Sequence, residues 1–155
     1  MKELYVLVGV PGSGKTTWVK NQQWAKHYAY ISTDKHVEDY ARAVGKTYSQ
    51  VFKEFMPQAV DMMTQDVIAS REVGENIIWD QTSTSIATRA KKLRMLPDYY
   101  KVAIVFATPP SAELQKRLAS RPGKEVPWEV VSEMAQKLEA EPVTEEEGFN
   151  EIWYV

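Results

Sequence analysis

The sequence predicts an α/β fold in which helices cover both faces of a parallel sheet of about five strands. Short apolar segments rich in β-branched and aromatic residues alternate along the chain with segments of helical spacing. A glycine-rich loop directly follows the first apolar segment and precedes a helix. Such alternation favours right-handed helical crossovers between parallel strands, and therefore a three-layer sandwich.

Five segments have the length and composition of strands in that sheet. Each is short and contains several β-branched or aromatic side chains. The first ends directly at a glycine, as expected for a buried strand that leads into a turn. The predicted strands cover residues 4–8, 29–32, 76–79, 102–107 and 152–155.

Apolar residues at helical spacing separate the later strands and predict four amphipathic helices. Pro109 and Pro110 indicate a loop before the third of these helices, with Pro110 near its first turn. The residues that define the four helices are, in order, Val51, Phe55, Ala59, Met62 and Met63; Ala87, Ala90 and Leu93; Leu114 and Leu118; and Val130, Val131, Met134 and Leu138.

The bulk composition limits the class of protein. With 155 residues, 44% of them hydrophobic and 26% charged, the chain suits one compact domain over residues 1–155. No apolar run approaches the roughly 18–20 residues that a membrane span needs, so we expect a cytoplasmic protein without a membrane partner. The absence of cysteine excludes disulfides, thiolate nucleophiles and zinc sites built on sulfur.

The charge is distributed unevenly along the chain. The formal net charge is −2, but residues 139–151 contain six glutamates and no basic residue. Residues 1–138 therefore carry 19 basic and 15 acidic side chains, a formal charge of +4. The net charge of the chain consequently does not exclude a nucleic-acid partner.

The glycine-rich loop has the sequence of a phosphate-binding loop, or P-loop. Residues 9–16 satisfy the pattern G-x-x-x-x-G-K-[ST] between a predicted strand and a predicted helix, as the motif requires. Its glycines let the backbone turn so that successive N–H groups and the helix N-terminus face a phosphate. The predicted nucleotide-binding residues are Gly9, Pro11, Gly12, Ser13, Gly14, Lys15, Thr16 and Thr17.

Two side chains of the P-loop have specific chemical roles. Lys15 would bridge the β- and γ-phosphates of a nucleotide, and Thr16 would place its hydroxyl on Mg²⁺. We therefore expect the chain to bind ATP with Mg²⁺. The alternative is a glycine-rich turn with a solvated lysine, which the four fixed positions and the flanking pattern disfavour.

Two aspartates follow predicted strands, where ligands collect in this architecture. Asp80 ends an apolar run and has the position of a Walker B carboxylate, which would hold magnesium. Asp34 follows the second strand, where a carboxylate can take the proton from an attacking hydroxyl. For both residues the alternative is a helix N-cap, a position that aspartate also favours.

Further motifs accompany the P-loop along nearly the whole chain. They occupy residues 9–18, 31–34, 78–80, 105–106, 113–118, 121–124 and 126–127. Together they resemble the kinase domain of phage-type polynucleotide 5′-kinases, with its fourth strand, helix and short lid at similar spacings. Because the broader group of P-loop kinases shares the loop and the lid, the resemblance indicates phosphoryl transfer more strongly than it indicates the acceptor.

The resemblance implies roles for three charged residues. The family aspartate that matches Asp34 is the general base, so the resemblance favours that role over the N-cap. Arg117 and Arg121 match two arginines at the edge of the lid, which close on the phosphates and stabilise the transferring group, and Arg121 would also bind the nucleotide. Lys124 is a weaker lid candidate. The alternative for the arginines is a solvated helix face.

One departure from the family concerns the acceptor. The family arginine that binds the acceptor phosphate lies three residues past the base, and here that position is Val37. Lys35, His36 and Arg42 are candidates to compensate for it.

A basic and aromatic segment favours a polynucleotide acceptor, because such a mixture can track a nucleic-acid strand. An ordinary solvated helix is the alternative. The segment comprises Arg89, Lys91, Lys92, Arg94 and Lys101, with Tyr99 and Tyr100 beside them.

The sequence therefore predicts an ATP-dependent kinase, and the 5′-hydroxyl of a DNA or RNA end is the leading acceptor. Two alternatives stay open. A kinase for a small acceptor such as a nucleoside, nucleotide or antibiotic is favoured by Val37. A non-catalytic nucleotide switch is disfavoured by Asp34 and the lid arginines.

Overall fold

All five predicted strands are present in the computed structural model, which describes residues 1–155. They are β1 (Glu3–Val8), β2 (Ala29–Ile31), β3 (Ile77–Asp80), β4 (Tyr100–Val105) and β5 (Glu151–Tyr154). Every neighbouring pair is parallel, and the strand order is β2-β3-β1-β4-β5. The prediction of a five-stranded parallel sheet is confirmed, with each strand within two residues of its expected bounds.

Six α-helices connect the strands. They are α1 (Lys15–Lys20), α2 (Thr33–Val44), α3 (Tyr48–Val73), α4 (Ile86–Met95), α5 (Ser111–Ala119) and α6 (Trp128–Ala140), with short 3₁₀ helices at Gln23–His27 and Glu145–Glu147. The predicted apolar residues lie on α3 to α6, although Met62, Ala87 and Val130 face solvent rather than the core. Pro110 directly precedes α5. None of the helices is both long and apolar enough to cross a membrane.

The sheet has a helical layer on each face, which confirms the predicted three-layer sandwich. Leu4 and Val6 of β1 face one layer, and Tyr5 and Leu7 face the other. The first layer contains α3 and α4, and the second contains α1 and the 3₁₀ helix Gln23–His27. Because α1 has only six residues, tryptophan and tyrosine rings supply much of the second layer.

The parallel arrangement brings the carboxyl ends of β1, β2 and β3 to one edge of the sheet. β1 is central, β3 lies beside it, and β2 lies beyond β3. The Gly9 N–H donates a hydrogen bond to the Thr82 carbonyl at 2.9 Å, which ties the loops after β1 and β3 together. The loops that carry the predicted site residues therefore meet at this edge.

α2 and α3 pack against each other beside β2. Ser32 caps α2, because its hydroxyl accepts a hydrogen bond from the Asp34 N–H at 3.1 Å. α3 begins with a capping box in which Thr47 and Gln50 each bind the backbone of the other. Val37 is fully buried between the two helices. Both helices of this pair therefore begin at capped residues.

The predicted nucleic-acid track on and near α4 is wrong for three of its seven residues. Arg89 is fully buried, Lys92 is 7% exposed, and Tyr99 is also buried. The Arg89 guanidinium donates to both carboxylate oxygens of Glu147 and to the Ser83 carbonyl. It joins α4 to the acidic C-terminal segment, so it has a structural role and cannot contact a nucleic-acid strand.

Candidate active site

A wide cleft opens at the edge where the loops after β1, β2 and β3 meet. The loop between α5 and α6, residues 120–127, forms one wall and is called the lid below. It packs on the start of α3, where the Ser49 N–H donates to the Gly123 carbonyl at 2.9 Å and the Glu125 N–H donates to Ser49 Oγ at 2.6 Å. Apart from Gly9, the first residue of the P-loop, the predicted site residues all line this cleft.

The P-loop needs its glycines for steric reasons. Gly12 and Gly14 have φ angles of 83° and 100°, a region that residues with a side chain rarely adopt. A Cβ added at Gly9 would lie 2.6 Å from Ser13 Oγ, so a side chain has no room there. The backbone conformation of the loop therefore requires glycine at these positions.

Lys15 folds back over the loop. Its Nζ donates to the carbonyls of Gly9 and Val10, at 2.9 and 3.0 Å. Burial lowers the pKa of Lys15 to about 8, although the nearby carboxylates of Asp80 and Asp34 act in the opposite direction. An anion bound in the cleft would favour the charged form of Lys15, since opposite charges stabilise each other at short range.

Asp80 is the last residue of β3 and is not a helix N-cap, because Ser85 caps α4. Its Oδ2 accepts hydrogen bonds from the Thr16 hydroxyl at 3.3 Å and from the Tyr30 hydroxyl. Burial raises the pKa of Asp80, while Tyr30 and Lys15 oppose that rise. Hydroxyl and carboxylate oxygens suit Mg²⁺, so Thr16 and Asp80 fit a magnesium ion held at this point.

Asp34 lies in the first turn of α2, and the N-cap alternative is wrong because Ser32 occupies that position. The two carboxylate oxygens of Asp34 have different partners. Oδ1 accepts a hydrogen bond from the Tyr48 hydroxyl at 2.6 Å, and Oδ2 accepts one from Lys124 Nζ at 3.2 Å. About half of the side chain is exposed, so a substrate hydroxyl can reach it from the cleft.

Arg117 and Arg121 both approach the P-loop. Arg117 Nη1 donates to the Gly12 carbonyl at 3.1 Å, and its Nε donates to Glu113 at 3.0 Å. Arg121 Nε and Nη2 and the Ser13 hydroxyl are buried without any hydrogen-bond partner. Buried donors without acceptors are costly, and a phosphate accepts from a guanidinium in a bidentate manner. These atoms therefore fit a phosphate group above the P-loop.

The cleft is basic although the chain as a whole is acidic. Eight basic and four acidic side chains line it, a formal excess of four positive charges against −2 for the chain. Lys35 on α2 and Lys53 on α3 contribute to this excess, and neither forms an ion pair. The cleft is thus suited to substrates that carry phosphate groups.

Other candidates for the acceptor side have partners elsewhere. The resemblance to phage-type polynucleotide kinases leads one to expect an arginine three residues past Asp34. Val37 occupies that position, and because it is fully buried it cannot contact a substrate. His36 pairs with Asp66, and Arg42 pairs with Asp39 on the same helix. Of the three residues considered as substitutes, Lys35 is the one that lines the cleft.

Sequence reasoning missed two tyrosines of the site. Tyr30 donates a hydrogen bond to Asp80, which lies 50 residues further along the chain. Tyr48, the first residue of α3, donates one to Asp34. No motif marks either residue, because the contacts arise only when β2 and α3 are packed in place. The capping box beside Tyr48 predicts a helix start but gives no information about the direction of its side chain.

A comparison with family models identifies the domain type. A model described as an AAA domain matches residues 4–141, which is most of the chain.

Solved structures with the same fold include several proteins. A chain of the Pnkp1/Rnl/Hen1 RNA repair complex has a TM-score of 0.66 and 22% identity, over 90% of this chain and 44% of that one. A chain of the PezAT toxin–antitoxin system of Streptococcus pneumoniae has a TM-score of 0.61 and 19% identity, over 73% of this chain and 50% of that one. A gluconokinase from Sinorhizobium meliloti has a TM-score of 0.55 and 20% identity, over 99% of this chain and 81% of that one.

The three similarities cover different shares of the compared proteins. This chain spans no more than half the length of the chains from the RNA repair complex and the PezAT system, and most of the length of the gluconokinase. At such identities the likeness concerns the fold, which is the kinase-like P-loop fold.

Proposed function

Because this chain belongs to the AAA domain family and has a kinase-like P-loop fold, we propose that it transfers the γ-phosphoryl group of ATP to a polynucleotide 5′-hydroxyl. The observation that carries the proposal is the position of Asp34. Its half-exposed carboxylate shares a cleft with the P-loop and with the unpaired guanidinium of Arg121. A nucleotide switch does not require a base at that point, whereas a kinase does.

Asp34 acts as the general base in this proposal. Its carboxylate accepts the proton as the O–H bond of the acceptor breaks. The acceptor oxygen then forms a bond to the γ-phosphorus, and the bond from that phosphorus to the β–γ bridging oxygen breaks. The electron pair of the broken bond leaves on ADP.

Three basic residues stabilise the charge on the transferring group. Lys15 bridges the β- and γ-phosphates, and Arg121 supplies the guanidinium atoms that lack partners in the folded chain. Arg117 is held at the P-loop by its hydrogen bond to the Gly12 carbonyl, so it approaches the same phosphates. The remaining proposed nucleotide-binding residues are Gly9, Pro11, Gly12, Ser13, Gly14, Thr16 and Thr17.

Thr16 and Asp80 are the proposed magnesium ligands. When bound, the metal neutralises charge that develops between the β- and γ-oxygens. Tyr30 orients the Asp80 carboxylate by donating to the same oxygen that faces Thr16. Both bonds go to Oδ2, so the other oxygen of Asp80 would be available to hold magnesium, directly or through water.

The charge of the cleft supports a polynucleotide acceptor. Lys35 and Lys53 lie on the two helices beside Asp34, and the absence of ion pairs leaves both ammonium groups available for backbone phosphates. The similarity in fold to a chain of an RNA repair complex agrees with this acceptor.

A small acceptor is the second candidate. Val37 is buried where the resemblance leads one to expect a phosphate-binding arginine, and Arg89 and Lys92 of α4 are buried as well. The similarity in fold to a gluconokinase also agrees with a small hydroxyl substrate.

Incubation with γ-labelled ATP and Mg²⁺ distinguishes these acceptors. The panel contains 5′-hydroxyl DNA and RNA oligonucleotides, the same oligonucleotides with 5′-phosphates, nucleosides, nucleoside monophosphates and gluconate. We expect label on the 5′-hydroxyl oligonucleotides alone, and no transfer by Lys15→Ala. Label on a small acceptor alone would reject the polynucleotide, and nucleotide binding without any transfer would favour a switch.

A further inference from the structure

The Asp34 carboxylate is held by two residues from separate parts of the chain. Tyr48, the first residue of α3, donates to Oδ1 at 2.6 Å, and Lys124 of the lid donates to Oδ2 at 3.2 Å. The two bonds differ in length, and one donor lies on a helix while the other lies in the lid loop.

The Tyr48 side chain is fixed by its surroundings. The capping box of Thr47 and Gln50 sets the start of α3, and the Tyr48 ring lies 5.4 Å from the ring of Phe52. Burial and the charge of Asp34 raise the pKa of Tyr48 above its ordinary value. The hydroxyl is therefore protonated throughout the neutral range and can always donate to Asp34.

Lys124 has a second acidic partner. Its Nζ donates to Glu38 Oε1 at 2.8 Å, a shorter distance than its 3.2 Å contact with Asp34. It also lies 4.7 Å from the centre of the Tyr48 ring. Lys124 can therefore release Asp34 Oδ2 and keep a counter-charge at Glu38, whereas the bond to Asp34 is the one hydrogen bond that the Tyr48 hydroxyl forms.

We propose that Tyr48 is a positioning residue for phosphoryl transfer, which fixes Oδ1 of Asp34 so that Oδ2 takes the proton of the acceptor hydroxyl. This inference rests on the proposed function of Asp34 as the base. The fixed hydrogen bond restricts rotation of the carboxylate, and it stabilises the ionised form that a base requires. Tyr48 does not touch the reacting atoms and acts through Asp34.

The test compares Tyr48→Phe with Tyr40→Phe. Tyr40 lies on α2, its ring stacks on Phe55 at 4.0 Å, and its hydroxyl makes no hydrogen bond. Both variants remove one hydroxyl from the α2–α3 pair and keep the aromatic ring. The melting temperatures of the two variants therefore show whether either substitution disturbs the packing of these helices. We expect Tyr48→Phe to lower kcat about tenfold with an unchanged KM for ATP, because base orientation is lost. Tyr40→Phe is expected to keep the parent kcat.

The split between kcat and KM supplies a readout that packing alone would not give. A general loss of packing would alter ATP binding as well as turnover, whereas loss of the orienting hydrogen bond lowers kcat and keeps the KM for ATP. The other groups that face Asp34 and Tyr48 are unchanged in this variant. They are Lys15 of α1, Tyr30 of β2, Glu38 of α2, Asp80 of β3, and Arg121 and Lys124 of the lid.

Combination with Asp34→Asn separates this inference from the proposed function. If Tyr48 acts through Asp34, adding Tyr48→Phe to Asp34→Asn causes no further loss of kcat. An equal tenfold loss in both backgrounds, or a KM for ATP that rises as much as kcat falls, would overturn the positioning role. Slow transfer by Asp34→Asn with normal transfer by Tyr48→Phe would reject this inference alone. Normal transfer by Asp34→Asn would reject the proposed function as well.

Discussion

Two lysines show how burial affects single residues in this protein. Burial lowers the pKa of both Lys15 and Lys92 to about 8. Lys15 lines the cleft, where phosphate groups would restore its charge. Lys92 has no ion pair and lies over the ring of Trp79, with 5.4 Å between its Nζ and the ring centre. Lys92 therefore costs stability without an anionic ligand to offset that cost.

Replacement of Lys92 by Met is expected to stabilise the chain at pH 7. Met has a similar length and packs well against an aromatic ring, so the variant should gain about 1–2 kcal/mol in the free energy of unfolding. Urea titrations at pH 7 measure the difference. Arg94→Met is the control, because Arg94 is exposed on the same helix and its replacement should change little.

The gain should depend on pH. In the folded chain Lys92 releases its proton near pH 8, whereas in the unfolded chain it does so near 10.5. Between these values the unfolded state binds more protons, so the contribution of Lys92 to stability rises with pH. The advantage of Lys92→Met should therefore shrink from pH 8 towards pH 10.5. An advantage that grows over this range would contradict the lowered pKa.

At the scale of elements, Arg89 connects α4 to the C-terminal segment. Its Nε lies 2.7 Å from Glu147 Oε1, and both side chains are nearly inaccessible to solvent. Another donor of the guanidinium binds the Glu141 carbonyl at 2.7 Å. The ion pair therefore holds the chain before β5 against α4.

Glu147→Gln should destabilise the fold, because it leaves the Arg89 charge buried without a counter-charge. Loss of one partner of a buried ion pair typically costs about 3–5 kcal/mol. The measurement is the free energy of unfolding in urea, with Glu146→Gln as the control, since Glu146 is exposed and unpaired. Equal stability of the two variants would show that the pair contributes little.

The elements differ in how much of them the sequence predicts. Strands and the P-loop are encoded by residues close together in the chain, so composition and spacing locate them well. Burial of Arg89 is not visible locally, because an arginine that is followed by other basic residues resembles a solvated helix face until its distant partner Glu147 is known. The contact of Tyr48 with Asp34 is hidden for the same reason.

At the scale of the whole molecule, the distribution of charge matters more than its sum. The acidic residues near the C-terminus make the chain negative overall, but the cleft carries an excess of positive side chains. A substrate approaching the cleft experiences this local field, which the solvent screens beyond about 10 Å at 0.1 M salt.

The salt dependence of KM should reveal a polynucleotide acceptor. The apparent KM for a 5′-hydroxyl oligonucleotide should rise steeply with salt, while that for ATP rises less. Alanine at both Lys35 and Lys53 should reduce the log–log slope by about 1.4, the value for two phosphate contacts on a single strand. Alanine at Lys46 and Lys91, which lie outside the cleft, should leave the slope unchanged. A parent KM that is insensitive to salt would favour the small acceptor.

Asp34→Asn tests the central claim of a base-assisted phosphoryl transfer most directly. Steady-state transfer of label from ATP to the acceptor identified by the panel gives kcat, and titration with ATP gives its affinity in the same protein. The expected result is a kcat lower by about 10²–10⁴ with nearly unchanged ATP affinity, because a general base is lost while the P-loop is kept. A variant that binds ATP and transfers phosphate at the parent rate would contradict the claim.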